Sequence, residues 1–371
     1  MSPQPLRRRI GQLLIGSFEG PVIPVELQSV AREFDLGGVT LFTRLGNIDT
    51  PEQVAGLAFQ ARELGAEWPA WIGIDQEGGR VARLKSPFTE WPPMAMLGRS
   101  DDVKLAARFA KAMAAEMAAV GISLDYAPVL DIHTNPRNPV IGDRALGERP
   151  ETVARLGRVI IDELQRAGIA ACGKHFPGHG DTAADSHEEL PVVEHPPDRL
   201  RAVEFVPFKA AIEANVAFIM TAHVRVTSID DERPATLSRK IVYDLLRDEL
   251  GFRGAIVSDD LEMKAISNSY TPGEAAVAAI AAGCDTLLMC GKGAVVDIGL
   301  QVEVLEALIR AVESETLPAK RVEDAIARNR AAKERFVMNT RQWRPPSAEQ
   351  LRRVIGCEAH QIISHEMSAF A

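Results

Sequence analysis

The chain has 371 residues, 46% of them hydrophobic and 25% charged. That balance supports a large buried core and excludes a disordered or low-complexity chain. A net charge of −9 speaks against nucleic-acid and anionic-membrane surfaces. The one basic cluster, Arg7–Arg9, is too short to be a binding tract.

No stretch approaches the ~18 consecutive apolar residues of a membrane span. At the N-terminus, RRRIGQLLIG looks like a charged region followed by an apolar one, but the apolar part breaks at Glu19. No small-residue cleavage site follows, so this segment is expected to be a helix end and the first strand. Cys172, Cys284, Cys290 and Cys357 lie far apart without CxxC spacing. They are expected to be buried thiols of a reducing compartment, which predicts a cytoplasmic location.

In chain order, short apolar runs rich in β-branched residues alternate with amphipathic stretches. The runs are Gln12–Phe18, Gly38–Phe42, Ala70–Asp75, Ser123–Leu130, Ile169–His175, Ala217–His223, Ala255–Asp259 and Asp285–Cys290. Most are continuously apolar, as parallel strands buried on both faces require. Helices are predicted over Pro51–Gly65, Asp101–Val120, Glu151–Ala167, Asp198–Ala214, Ser238–Leu250 and Thr271–Ala282. Thr50 and Pro51 supply an N-cap and a first-turn proline to the first, and Gly121 supplies a stop to the second. Eight strands alternating with helices predict an α/β fold, a single (β/α)8 barrel. One domain is expected over 1–371, its core over about 10–317, with C-terminal helices and tail packed outside. A doubly wound open sheet is the alternative, but no GxGxxG follows the early strands.

Polar residues gather where the strands end: Arg44, Asp75, Asp131, Lys174, His175, His223 and Asp259. In a barrel those ends and their loops build the active site. The densest segment is KHFPGHGDTAADSHEELP, Lys174–Pro191. Its histidines and acids can cap helices and satisfy backbone groups. They can also ligate a metal through His175, His179, Asp181, Asp185 and His187, although the spacing is irregular and the Lys174 ammonium would repel the ion. A third reading is proton transfer, with Asp185 orienting His187.

In IGIDQEGGRVARL, Asp75 with Arg80 and Arg83 can grip vicinal hydroxyls or merely fix the loop. In NPRNPVIGDRALG, Arg144 can reach a ligand or pair structurally with Asp143. SDDLEM puts Asp259 at a strand terminus and Asp260 just after it. One of the two can cap the next turn and leave the other for chemistry, and spacing does not decide which. His223, in MTAHV, is either a ligand contact or a satisfied core histidine.

Together GVTLFTR, IGIDQEGGRVARL, NPVIGDRALG, KHFPGHGDTAADSHEELP, MTAHV, PATLS and IVSDDLEM resemble glycoside hydrolase family 3, in the family's order and through nearly the whole barrel. Within it the resemblance is to single-domain NagZ-type β-N-acetylglucosaminidases (β-hexosaminidases). It implies a (β/α)8 barrel that cleaves terminal β-linked N-acetylglucosamine with retention of configuration. It implies Asp259 as nucleophile and His187 as acid/base, partnered by Asp185. Sugar binding would fall to Asp75, Arg83, Arg144, Lys174 and His175; His223 stays a further candidate from its place at a strand end. Family 3 β-glucosidases take their acid/base from a second domain, for which this chain has no room, so the DSH segment favours the N-acetylglucosaminidase branch.

Leu45 and Leu146 depart from the family's pattern. They are expected at the pocket rim, where they would alter aglycone preference. No metal or organic cofactor is implied. The expected partner is a small carbohydrate or muropeptide, N-acetylglucosamine on 1,6-anhydro-N-acetylmuramic acid, processed in cytoplasmic peptidoglycan recycling by a monomer. Three rivals stand beside this expectation. One is a family 3 enzyme for glucosides or xylosides. Another is a phosphorylase, because a neutral histidine repels an attacking phosphate less than a carboxylate does. The third is a non-catalytic sugar-binding barrel, which the presence of Asp259, Asp185 and His187 disfavours.

Overall fold

In the computed structural model, which describes residues 3–338 and 342–371, eight parallel strands close into a barrel. They are β1 (Leu14–Gly16), β2 (Gly38–Thr40), β3 (Trp71–Ile74), β4 (Leu124–Asp125), β5 (Ala170–Phe176), β6 (Phe218–Thr221), β7 (Ala255–Asp260) and β8 (Thr286–Leu288). Each pairs with its sequence neighbours, and the ring closes where Leu14 of β1 faces Leu287 of β8. The helices that follow the strands are α1 (Val25–Phe34), α2 (Pro51–Arg62), α3 (Val103–Ala119), α4 (Pro150–Arg166), α5 (Phe205–Glu213), α6 (Lys240–Glu249), α7 (Pro272–Ala282) and α8 (Ile298–Glu313). The fold is the (β/α)8 barrel that the apolar rhythm predicts.

Local signals set the helix ends. The Thr50 hydroxyl accepts the Gln53 N–H at the start of α2, and Thr271 with Glu274 forms a capping box on α7. Gly121 stops α3 with φ of 81°. Two elements differ from the sequence expectation. The run Ser123–Leu130 is regular strand only over Leu124–Asp125 and bridges to β5 again at Val129–Lys174; Pro128, which has no N–H to give the ladder, lies in the interruption. The helix predicted over Asp198–Ala214 is two pieces, Pro197–Ala202 and Phe205–Glu213. Pro207 would clash with the carbonyl of Val203 four residues earlier, which breaks the helix there.

The helix after Leu317, Ala319–Phe336, does more than coat the outside. Its Ala332 and Phe336 join Ile15, Trp71, Leu124, Cys172 and Phe218 in one apolar cluster. Asn329 accepts the Thr286 hydroxyl and donates to the Asp285 carbonyl, both where β8 begins. The helix therefore closes the barrel at the end opposite the strand termini. Asp285 is buried there among Arg247, Arg321 and Arg328. Three cysteines are buried, Cys357 is half-buried, and all four are free thiols. Among the described residues, no helix is long and apolar enough to cross a membrane.

Lys333 on the closing helix is fully buried, and its ammonium donates to Gln12 Oε1 at 2.7 Å. Burial pushes its pKa down to about 7, against ~10.4 in an unfolded chain. Between these values the unfolded chain binds more protons, so stability rises with pH through that window and the burial penalty is full below it. Lys333→Met should therefore stabilise the protein by about 1–4 kcal/mol near neutral pH, with a smaller gain as pH approaches 10. Thermal melts at about pH 6.5 and 9.5 check this. A lower midpoint for the variant at both values would show the buried ammonium to be stabilising.

Candidate active site

A cavity of about 460 Å³ opens where the barrel strands end. Charges of alternating sign cross its floor. Arg83 donates to Asp75 at 3.0 Å, and Lys174 donates to Asp75 at 3.0 Å and to Glu77 at 2.6 Å. Arg144 closes the chain with a forked pair on Glu77, 2.9 Å from Nε and 2.8 Å from Nη2. The side chains of Lys174 and Glu77 are only 3% and 1% exposed. Burial alone would raise both carboxyls, but Lys174 and Arg83 hold Asp75 far below the usual range. Arg144 and Lys174 hold Glu77 at about 2. Against their own burial, the two carboxylates keep Lys174 and Arg144 firmly protonated.

Gly78 and Gly79, with φ of 112° and 57°, make the tight turn that brings Arg83 back to Asp75. Arg80 points away from the floor and fixes the loop after β4 through Asp143 and the carbonyls of Val140 and Ile141. Asp143 is thus the partner of Arg80, not of Arg144. With three cations to two carboxylates, the floor suits charge-assisted hydrogen bonds to a neutral, hydroxyl-rich ligand.

His175 lies near the end of β5 beside Lys174. Its Nδ1 meets Asp131 Oδ2 at 2.7 Å, so Nδ1 carries the hydrogen and the other ring nitrogen stays available. Two strands along, at the end of β7, Asp259 Oδ1 accepts the Asp260 N–H at 2.8 Å. Burial works to raise the Asp259 carboxyl, but His223 and His175 nearby pull it below the ordinary carboxylate value. Asp260 differs. Its Oδ1 is occupied by the N–H groups of Glu262 and Cys290, each at 3.1 Å, and burial with Glu262 nearby pushes it up to about 8. Near neutral pH Asp259 is an anion and Asp260 a neutral acid, a distinction invisible in their spacing.

The loop after β5 carries the third group. Asp185 Oδ1 accepts both the His187 backbone N–H at 2.8 Å and the ring Nδ1–H at 2.7 Å. Partial burial favours the neutral acid, yet those two bonds bring Asp185 below its ordinary value. The His187 side chain is 63% exposed and lines the same cavity as Asp259. His179, a candidate ligand in the metal reading, is committed elsewhere. Its ring bonds Thr182 and Ser186, and burial lowers it to about 4. Among the described residues, no group of three or more His, Cys, Asp or Glu side chains converges as a metal cage.

The fold brings Asp75, Arg83, Arg144, Lys174, His175, His187 and Asp259 to one cavity, with Asp185 behind His187. His223 does not line it. It is fully buried between the Thr236 hydroxyl and the Asp260 carbonyl, so it is a satisfied core histidine that holds the chain beside Asp259. Leu45 and Leu146 are 4% and 1% exposed. They belong to the core rather than to the pocket rim, which removes them as direct contacts of an aglycone. Glu77 is the floor residue that sequence reading passed over. Its only signal is an acid two places beyond Asp75.

The family model described as Glycosyl hydrolase family 3 N terminal domain matches residues 5–330. The chain belongs to glycosyl hydrolase family 3. A beta-hexosaminidase of Tolumonas auensis is 37% identical over 340 residues, 90% of this chain and 96% of that one. Beta-hexosaminidase A of Pseudoalteromonas piscicida is 36% identical over 288 residues, and the match spans 72% of this chain but about half, 48%, of that longer relative. Among solved structures, a glycoside hydrolase family 3 beta-N-acetylglucosaminidase from Paenibacillus sp. str. FPU-7 superposes with a TM-score of 0.91 at 38% identity, covering 98% of this chain and 68% of that one. The family 3 barrel described here thus aligns with hexosaminidases over its strands and over the loops that hold the cavity.

Proposed function

We propose that this family 3 barrel is a retaining exo-β-N-acetylglucosaminidase. Its substrates would be peptidoglycan fragments bearing N-acetylglucosamine on 1,6-anhydro-N-acetylmuramic acid, with or without peptide. The observation that carries the reading is an anionic Asp259 sharing one cavity with the His187–Asp185 pair. The sugar rests on Asp75, Arg83, Arg144, Lys174 and His175. Asp259 attacks the anomeric carbon as the bond to the aglycone breaks, and protonated His187 gives its Nε2 proton to the departing oxygen. Neutral His187 then takes a proton from water, which displaces Asp259 and restores the β configuration. Asp185 keeps the proton on Nδ1 and stabilises the imidazolium, as an orienting carboxylate does in other triads.

The free thiols support a cytoplasmic location, and we propose that the enzyme works there as a monomer. The names of the hexosaminidase relatives support the sugar assignment. A substrate panel run with and without phosphate tests it. An aryl β-N-acetylglucosaminide should exceed the matching β-glucoside by about a hundredfold or more in kcat/KM, with free sugar as product in either buffer. Equal rates on the two sugars would overturn the sugar assignment. Phosphate-dependent formation of sugar 1-phosphate would replace hydrolysis by phosphorolysis.

A further inference from the structure

The loop that carries His187 is braced from beneath by buried polar groups. Asp131 divides its two oxygens between pocket and loop. Oδ2 accepts the backbone N–H and the ring Nδ1–H of His175, and Oδ1 accepts the backbone N–H of His179 at 2.6 Å. The His179 ring then stands between the Thr182 hydroxyl, 2.7 Å from Nδ1, and the Ser186 hydroxyl, 3.0 Å from Nε2. Ser186 is itself buried, between Asp185 and His187 in the chain, and its carbonyl accepts the Ala265 N–H from the loop after β7. Asn138 seals the base by donating to the His179 carbonyl and the Thr182 hydroxyl. Gly180 lets the loop lie flat on the chain after β4, since a Cβ there would stand 1.8 Å from the Ile132 carbonyl oxygen.

We propose that Asp131, His179 and Ser186 form a strut that positions the His187–Asp185 pair, with Ser186 acting as a positioning residue for proton transfer. The inference rests on the reading of His187 as acid/base and adds what holds that histidine in place. Proton transfer requires His187 within hydrogen-bond reach of the leaving oxygen. A displacement of about 1 Å in such a group can cost about a hundredfold in rate. The side-chain tie at the loop tip, Lys264 with Glu188, joins two side chains that are both more than half exposed, and such pairs hold little. The Ser186–His179 bond is shielded from water, and burial keeps the His179 ring neutral through the range in which the enzyme would work.

The test compares wild type, Ser186→Ala and His187→Ala on two aryl N-acetylglucosaminides. One has a dinitrophenyl group, which leaves without a proton, and the other a plain phenyl group, which needs one. Thermal midpoint and inhibition by N-acetylglucosamine are measured alongside. Ser186→Ala should lose about ten- to a hundredfold in kcat/KM on the phenyl substrate and under about threefold on the dinitrophenyl one. Its affinity for N-acetylglucosamine should stay near wild type, and its midpoint should fall by only a few degrees, the cost of leaving the buried His179 Nε2 without a partner. His187→Ala should show the same split, only larger. Equal losses on both substrates, or no loss, in Ser186→Ala while His187→Ala keeps its split would overturn the strut and leave the acid/base assignment standing. No split in His187→Ala would overturn both.

Discussion

Replacing Asp259 with alanine should lower turnover by about four orders of magnitude or more while the fold and the affinity for N-acetylglucosamine persist. The physical reason is that Asp259 contributes little to either. Its carboxylate accepts a hydrogen bond from the adjacent Asp260 N–H, whereas the sugar-facing cations lie on the opposite floor. The fold holds the Asp259 carboxyl below its ordinary value, so losing the anion should lower the thermal midpoint only modestly. Asp260→Asn gives the internal contrast. Asp260 is already neutral near pH 7, and an asparagine oxygen can still accept the Glu262 and Cys290 N–H groups. That variant should keep activity within about tenfold of wild type. Steady-state kinetics on an aryl N-acetylglucosaminide, with calorimetric titration of N-acetylglucosamine, measures both. Near-normal turnover in Asp259→Ala would show that the nucleophile lies elsewhere. A loss in Asp260→Asn as deep as that in Asp259→Ala would mean that the two carboxyls act as a unit.

The barrel was legible in the chain because strands buried on both faces must be continuously apolar, and few other elements repeat that pattern between helices. Strand lengths were not legible, since they depend on which N–H groups find partners, and the run around Pro128 is interrupted. A helix after Leu317 was expected, but its place closing the barrel was not, for a related reason. Its buried stripe, Val322, Ala325, Ile326, Asn329, Ala332, Lys333 and Phe336, contains an asparagine and a lysine that in sequence look like solvent-facing positions. In the site, the DSH segment announced its pairing because Asp185 and His187 are two residues apart. Asp259 and Asp260 could not be separated, because burial and partners brought in by the fold distinguish them, His223 and His175 for the first and the Cys290 N–H for the second. His223 was ambiguous because its two partners, Thr236 and the Asp260 carbonyl, lie 13 and 37 residues further along the chain. Glu77 was silent for the same reason, its partner Arg144 lying 67 residues further along.

That silent residue should produce the second large effect. Glu77→Gln preserves the shape of the side chain but removes the charge that Lys174 and Arg144 share. Lys174 would be left with Asp75 alone, and Arg144 with the Val140 carbonyl. Both cations would remain nearly out of contact with water, short of one counter-charge. The expected cost is about 1–3 kcal/mol of stability, and a fall in kcat/KM of about a hundredfold as the floor loses its geometry. The loss should appear chiefly in KM, with a parallel weakening of N-acetylglucosamine inhibition, because the floor binds the sugar and does not touch the bond being broken. Asp259→Ala should do the reverse, sparing binding and removing turnover. If Glu77→Gln binds N-acetylglucosamine as tightly as wild type, the alternating chain is not what holds Lys174 and Arg144, and Asp75 with the surrounding backbone must suffice. If kcat falls with KM unchanged, the floor acts on the transition state rather than on the bound sugar, and the division of labour between β5 and β7 drawn above fails.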